Sequence, residues 1–265
     1  MIHIHDINDP RIADYHSLKT AQDLHSAKKM FLTDGDKTTL NVLHADIEMH
    51  SLFALEHFYE EHKALIDAKI PAERQYTTTM ELMESIVGFR LHSGVMAMGC
   101  EKPYLPVEEL QGPIIALNGI INSDNVGGII RNAIGMGFTN ILFDAATSSP
   151  YLRRAVRVSM GTISRALFSK TENLSDTLAF MADKYHKRII AAEITSDSVD
   201  LSSFEFPEEF ILVFGSEGRG IEQSVLDVCG IKVHIPMYNQ VQSLNVSSTS
   251  GIMLYQAGKR IKQGL

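Results

Sequence analysis

FILVFGSEGRGI, residues 210–221, is a run of five apolar side chains that leads directly into a glycine-rich loop. A short apolar run bounded by glycine is typical of a strand that is buried on both faces, as strands of parallel sheets are. Open α/β sheets bind their ligands at the carboxyl ends of such strands. The stretch therefore predicts an α/β fold whose functional loops lie at one edge of a parallel sheet.

Strand and helix patterns alternate on both sides of this stretch from about residue 111. This alternation predicts a mostly parallel sheet with helices on both faces. The expected strands are 113–117, 140–144, 188–192, 210–214 and 231–235. The expected helices start at residue 125 and after Pro150, and cover 175–187 and 246–262.

The first hundred residues differ from the rest in charge and pattern. Acidic residues outnumber basic ones in 1–110 and balance them in 111–265, although the whole chain has a net charge of −8. Residues 101–106 contain two prolines, which restrict the backbone and favour a linker. We therefore expect a smaller α/β N-terminal domain, 1–105, and a second domain, 111–265. Within the first, 11–32 and 50–66 have helix-like patterns and 94–99 has a strand-like pattern.

Bulk properties exclude several classes of protein. The apolar runs are far shorter than the ~20 residues of a membrane-spanning helix, and the N-terminus lacks the pattern of a signal peptide. A cytoplasmic protein is expected. Two cysteines without a Cys-x-x-Cys pair favour neither a disulfide scaffold nor a metal site. The negative net charge argues against a protein that coats nucleic acid indiscriminately.

Three segments in the second domain join a predicted strand to a predicted helix. NVGGIIRNA, residues 125–133, puts two glycines and an arginine at a helix start, where N–H groups are unpaired. The loop in 215–220 has the spacing G-x-x-G-x-G, which is neither the dinucleotide nor the P-loop fingerprint. In IPMYNQVQSLNVSST, residues 235–249, either Ser243 or Asn245 caps the last helix. Taken singly, each segment is also explained by helix capping and tight turns.

Together, the three segments resemble the motifs of the SpoU (TrmH-like) RNA ribose methyltransferases of the SPOUT superfamily. The first motif, N-x-G-x-I-x-R-x-A, is matched within 125–133, and the second, G-x-E-x-x-G, within 215–220. The third, I-P-M followed by S-L-N-V-S, is matched by 235–237 and 243–247. A weaker similarity to the family's N-terminal RNA-binding extension covers 31–36 and 86–95, so the resemblance implies an RNA-binding domain in 1–105 and the SPOUT methyltransferase catalytic domain in 111–265.

The resemblance implies a fold, a cofactor and a reaction. It implies a C-terminal trefoil knot, a homodimer, and methyl transfer from S-adenosylmethionine to a ribose 2′-hydroxyl of rRNA or tRNA, without a metal. The implied catalytic residues are Arg131, Asn125, Glu217, Ser243 and Asn245. The implied cofactor-binding residues are Ala192, Phe214, Gly215, Ser216, Gly220, Ile235, Met237 and Leu244. Many relatives have a glycine soon after I-P-M, where this chain has Tyr238-Asn239-Gln240; because asparagine tolerates left-handed geometry, we expect the turn to persist.

Two other functions compete with this interpretation. A non-catalytic RNA-binding relative would keep the fold without a working cofactor loop, and affinity for S-adenosylmethionine would distinguish the two. An unrelated α/β nucleotide enzyme, such as a dehydrogenase, is disfavoured because both phosphate fingerprints fail.

A basic stretch predicts where RNA binds. Residues 145–171 contain four arginines and a lysine and no acidic residue, a pattern that favours contacts with phosphates. The expected RNA-binding residues are Arg153, Arg154, Arg157 and Arg165. A second basic cluster in 228–265 is better explained as a solvated helix end.

Overall fold

The computed structural model describes residues 1–16, 22–87 and 93–259. In chain order the elements are β1 (Ile2–His3), α1 (Gln22–Ala27), β2 (Met30–Asp34), α2 (Asp36–Leu43), β3 (Met49–Ala54), α3 (Glu56–Lys69), β4 (Gln75–Thr77), α4 (Met80–Val87), β5 (Val95–Cys100), β6 (Ile114–Asn118), α5 (Ser123–Gly135), β7 (Asn140–Asp144), α6 (Arg153–Val158), β8 (Leu167–Thr171), α7 (Leu174–Tyr185), β9 (Arg188–Ala192), β10 (Val199–Asp200), β11 (Phe210–Gly215), α8 (Gln223–Leu226), β12 (Ile231–His234) and α9 (Val246–Gly258). None of the helices in these ranges is long and apolar enough to cross a membrane.

The chain forms two compact units. The first consists of Met1–Lys102 and Pro150–Arg165, and the second of Pro103–Ser149 and Ala166–Leu265. The segment 150–165 thus belongs to the first unit, although the sequence had assigned it to the second domain. Within the first unit, the ring of Tyr151 packs on Phe31 at 5.3 Å between centroids. The functions assigned to the two domains stay predictions.

The first unit contains a mixed five-stranded sheet in the order β1-β4-β3-β5-β2. The predicted strand at 94–99 is confirmed as β5, but the helical expectation for 50–66 is wrong at its start, because β3 occupies 49–54 and α3 begins at Glu56. The expectation for 11–32 is wrong at its end, where β2 begins at Met30. The period of a short apolar run does not distinguish a buried strand from the buried face of a helix. Part of the weaker family similarity, 88–92, lies outside the described residues.

The second unit contains a seven-stranded parallel sheet in the order β10-β12-β9-β11-β6-β7-β8. The predicted parallel α/β fold is confirmed, with β8 and β10 in addition. Ile211 and Val213 of β11 pack in one core with α7 and α8. Leu212 and Phe214 are also fully buried and face the other side, because strand side chains alternate, and α9 contacts β11.

Helices α5 and α9 approach each other closely. A Cβ atom on Gly128 of α5 would lie 2.1 Å from Ser247 Oγ of α9. Nearby, Asn132 Nδ2 donates to the Ser247 carbonyl at 2.8 Å and to Ser250 Oγ at 2.9 Å. The crossing therefore depends on a residue without a side chain, and part-buried hydrogen bonds from Asn132 fix its register.

We predict that Gly128→Ala lowers the free energy of unfolding by about 1–3 kcal/mol, because the added methyl group overpacks this crossing. Gly135→Ala, near the end of the same helix with no atom within 4 Å of the added Cβ, is the matched control. It should be neutral or stabilising by up to about 1 kcal/mol through helix propensity. Urea unfolding of both variants measures the difference, and equal stability of the two would contradict the packing described.

Candidate active site

The order of the strands creates a crevice between β6 and β11. These two strands are neighbours, but the chain leaves β6 towards β7 and leaves β11 towards β12, which lies beyond β9 on the other side. Loops that leave adjacent parallel strands in opposite directions leave a crevice at their carboxyl ends. The three sequence motifs follow β6, β11 and β12, so all of them reach this edge of the sheet.

The glycine-rich loop after β11 is a tight turn. Ser216 N–H donates to the Gly220 carbonyl at 3.0 Å, and Gly220 N–H donates to the Ser216 carbonyl at 2.8 Å. A Cβ atom on Gly215 would lie 2.3 Å from the Gly220 carbonyl carbon, and Gly220 has a φ of 69°, so both positions require glycine. The turn projects Glu217 from its tip, where the side chain is exposed.

Asn245 joins the three motifs. Its Oδ1 caps α9 by accepting from Ser247 N–H at 2.9 Å and from Ser248 N–H at 3.3 Å. Its Nδ2 donates to Asn125 Oδ1 at 3.0 Å and to Glu217 Oε1. One amide thus ends the third motif loop and holds a side chain from each of the other two. Of the two predicted caps, Asn245 is the one that caps the helix.

A buried polar network holds the strand ends in place. Asp144 Oδ2 accepts from Asn118 Nδ2 at 2.8 Å and from Gly119 N–H at 2.9 Å. Its Oδ1 accepts from the backbone N–H and the hydroxyl of Thr147 at 2.8 and 2.7 Å. Asn118 Oδ1 in turn accepts from Glu222 N–H at 2.8 Å. The ends of β6 and β7 and the loop after β11 are therefore cross-linked by fully paired buried groups.

All eight predicted cofactor-binding residues line one cavity, which we call the first cleft. It lies at the carboxyl ends of β9, β11 and β12, and Ser243 and Glu217 also line it. Beyond it, Asn239 and Gln240 have φ of 54° and 61°. The predicted left-handed turn at Asn239 is therefore confirmed.

A second cleft adjoins the first. Its walls come from the loop after β6, residues 118–125, and from the glycine-rich loop with Glu222. Ser216, Glu217 and Gly220 line both clefts, so the glycine-rich loop forms the wall between them. Asn125, whose side chain is buried, belongs to the second cleft. Its Nδ2 has no partner among the described residues, although its Oδ1 is bound by Asn245.

Arg131 lies apart from the other predicted catalytic residues. It is exposed on α5, it lines neither cleft, and no hydrogen bond or ion pair joins it to another described residue. The Glu217 carboxylate accepts from Asn245 and not from Arg131. The structure therefore brings together Asn125, Glu217 and Asn245, with Ser243 in the adjoining first cleft.

The predicted RNA-binding arginines are not equivalent. Arg154, Arg157 and Arg165 are exposed. Arg153 is largely buried and donates to Asp34 through Nε at 2.9 Å and through Nη2. Its guanidinium is therefore engaged within the first unit, and a phosphate would have to compete with this ion pair.

Two titratable residues of the first cleft, Glu193 and His234, were not predicted from the sequence. Glu193 directly follows β9, and His234 is the last residue of β12. The position of Glu193 after a predicted strand was the signal that could have identified it. No group of three metal-binding side chains occurs among the residues that the structure describes.

The fold and the two clefts define an α/β protein that binds ligands at the carboxyl edge of a parallel sheet. A family comparison makes this more specific: the chain belongs to the SpoU rRNA methylase family, whose model matches residues 112–255. The resemblance noted from the three motifs is thereby confirmed. The class of the protein is RNA methyltransferase.

Individual relatives agree with this membership. An uncharacterised tRNA/rRNA methyltransferase of Mycobacterium tuberculosis is 25% identical over 260 residues, 95% of this chain and 89% of its own length. The 23S rRNA (guanosine-2′-O-)-methyltransferase RlmB of Acinetobacter baylyi is 27% identical over 66% of this chain and 74% of its own length. The AdoMet-bound rRNA methyltransferase structure from Sinorhizobium meliloti has a TM-score of 0.81 at 20% identity, covering 98% of this chain and 97% of that one. This last similarity shows a shared fold.

Proposed function

We propose that this chain transfers a methyl group from S-adenosylmethionine to a ribose 2′-hydroxyl of rRNA or tRNA. The main structural support for the proposal is the pair of hydrogen bonds from the Asn245 amide to Asn125 and Glu217, where the two clefts adjoin. The name of the Acinetobacter baylyi relative supports the ribose 2′-oxygen as the acceptor. The other relatives' names include both tRNA and rRNA, so the proposal covers both.

The charge of the first cleft fits this cofactor. Its described side chains include the carboxylates of Glu193 and Glu217, and neither lysine nor arginine. Proteins commonly hold phosphate-bearing cofactors with cationic side chains or with phosphate-binding loops. S-adenosylmethionine has no phosphate and carries a positive sulfonium group. The cleft therefore disfavours a dehydrogenase and favours a methyltransferase.

Two kinds of groups would hold the cofactor. The apolar side chains of Phe214, Ile235, Met237 and Leu244 would enclose its adenine and ribose. Backbone N–H and C=O groups would form hydrogen bonds with the polar edge of the adenine. These backbone groups belong to the strand ends at Ala192 and Gly215 and to the loop residues Ser216 and Gly220. When bound, S-adenosylmethionine supplies a methyl group on positively charged sulfur, which is open to attack by an oxygen.

The second cleft receives the target nucleotide. Asn125 accepts from Asn245 through Oδ1, so its own N–H groups are available to the ribose oxygen. The Glu217 carboxylate accepts hydrogen bonds, and a bond from the 2′-hydroxyl turns a lone pair of that oxygen towards the first cleft. Alignment of this kind accounts for a large part of catalysis when two reactants must meet in line.

Arg131 has a supporting role in this proposal. A guanidinium stays protonated in proteins, so it does not remove the hydroxyl proton. Its exposed position outside both clefts suits contact with the phosphate of the target nucleotide better than stabilisation of the developing alkoxide. A non-catalytic RNA-binding relative would require neither the contacts of Asn245 with Asn125 and Glu217 nor affinity for S-adenosylmethionine.

The resemblance also supports a homodimer and a knotted C-terminal segment, and we retain both in the proposal. Ile252 and Tyr255 of α9 are 43% and 56% exposed, which suits a surface that a second copy covers. RNA contacts are assigned to Arg154, Arg157 and Arg165, and also to Arg153 where a phosphate competes with its ion pair to Asp34.

We predict that Asn245→Ala lowers kcat for methyl transfer by at least about a hundredfold, because Asn125 and Glu217 lose the amide that both of them bind. It should also lower stability by about 1 kcal/mol through the lost cap of α9. Asn173→Ala, which removes the cap of α7, should cost similar stability and leave turnover unchanged. Radiolabel transfer to RNA and thermal unfolding measure both effects; equal activity of the two variants would refute the role of Asn245.

Arg131→Ala should keep the affinity for S-adenosylmethionine and lose methyl transfer, because Arg131 lines neither cleft but is assigned to the RNA substrate. The expected loss is about a hundredfold or more in kcat/KM for RNA. Calorimetry and single-turnover assays separate the two effects. Undiminished turnover would remove Arg131 from the proposed mechanism.

The double variant Arg154→Glu, Arg157→Glu should weaken RNA binding by at least about tenfold. It should also lower the magnitude of the slope of log affinity against log salt concentration by about 2, since each phosphate contact contributes about 1 to that slope. Lys184→Glu, Arg188→Glu is the matched control, because it reverses two exposed charges in the second unit that are assigned no RNA contact. Filter binding over a range of salt concentrations compares them. Equal binding by the two variants would contradict the assignment.

A further inference from the structure

Glu193 is a carboxylate of the first cleft that neither the motifs nor the proposed mechanism uses. It follows β9 directly, and its backbone N–H donates to the Val233 carbonyl of β12 at 3.1 Å. Its Oε2 accepts from Ile221 N–H at 3.0 Å, so the side chain points to the glycine-rich loop. A Cβ atom on Gly220 would lie 2.5 Å from the same oxygen. The carboxylate is therefore held at a defined position in the cleft wall.

No cation compensates this charge among the described residues. The partners of Glu193 are backbone N–H groups, those of Ile221 and Ile194, and the described lining of the cleft has no lysine or arginine. The other charged group, Glu217, is bound by the neutral Asn245. His234 lines the same cleft, and its Nδ1 shares a hydrogen bond of 2.9 Å with Ser198 Oγ. The first cleft thus presents net negative charge to a ligand.

We propose that Glu193 makes the first cleft select the cationic methyl donor over its neutral demethylated product. This inference rests on the proposed function. In the transfer, an electron pair of the ribose oxygen forms the new O–C bond, the C–S pair returns to sulfur, and the hydroxyl proton passes through the Glu217 carboxylate, which accepts its hydrogen bond, to water. The positive charge on sulfur is thereby lost. A carboxylate in a partly desolvated cleft attracts the sulfonium group and has no such attraction for the thioether.

The first cleft therefore binds the methyl donor more tightly than the demethylated product, which favours turnover. The attraction acts while the methyl group is in place and ends in the step that consumes it. Glu193 therefore favours exchange of product for fresh donor, without contacting the RNA.

The test compares three ligands of the same shape and different charge. S-adenosylmethionine carries a positive sulfonium group and sinefungin carries a positive ammonium group at the corresponding position, whereas S-adenosylhomocysteine has a neutral thioether there. In calorimetry with the full chain, Glu193→Gln should weaken binding of the two cations by about tenfold and change binding of the neutral ligand by less than about twofold. Gln keeps an acceptor oxygen for Ile221 N–H, so the loop contact persists. Glu193→Asp keeps the charge and should keep the preference for the cations.

Glu208→Gln is the matched control. It removes the same charge from an exposed position just before β11, at the opposite end of the strand from the cleft, and should leave all three affinities unchanged. If Glu193→Gln weakens all three ligands equally, Glu193 acts only through its contact with the loop, and the inference is wrong. Unchanged affinities would also overturn it. If the native chain binds none of the ligands, the proposed function fails and the inference with it.

Discussion

The side-chain amide of Asn245 is the interaction on which the site depends. Its oxygen satisfies two N–H groups at the start of α9, and its nitrogen binds Asn125 and Glu217. Because an amide presents an acceptor and a donor in opposite directions, the residue can end a helix and organise side chains at the same time. Aspartate has no donor, and serine has a single O–H group that cannot donate to both Asn125 and Glu217. The contribution to stability and the contribution to function are therefore made by different atoms of one side chain.

The parallel sheet makes this arrangement possible. β6 and β11 are adjacent, so the first two motif loops leave the sheet side by side, and the buried carboxylate of Asp144 fixes the first of them through Asn118 and Gly119. Close packing of α5 on α9 at Gly128 then places the third motif against the first. The two clefts share the wall formed by the glycine-rich loop, so the proposed function would place methyl donor and acceptor in adjoining sites.

Much of this was predictable from sequence, and the exceptions have physical reasons. Buried parallel strands such as β11 are continuous apolar runs between turn residues, so their positions were predicted almost to the residue. β3 was taken for a helix because a short apolar run fits both periods. The partners of Arg153 and Glu217 were not predictable, since an ion pair over 119 positions and an amide contact over 28 leave no local signal. Glu193 was missed because a single carboxylate after a strand has no motif.

The central claim is that this chain methylates the ribose 2′-oxygen of RNA. The most direct measurement incubates the protein with RNA and S-adenosylmethionine that carries a deuterated methyl group, digests the RNA to nucleosides, and locates the label by mass spectrometry. The proposed function places the label on ribose, at a nucleotide whose 3′-phosphodiester bond resists alkali in the intact RNA. Label on a base, or absence of label with both tRNA and rRNA as substrates, would contradict it.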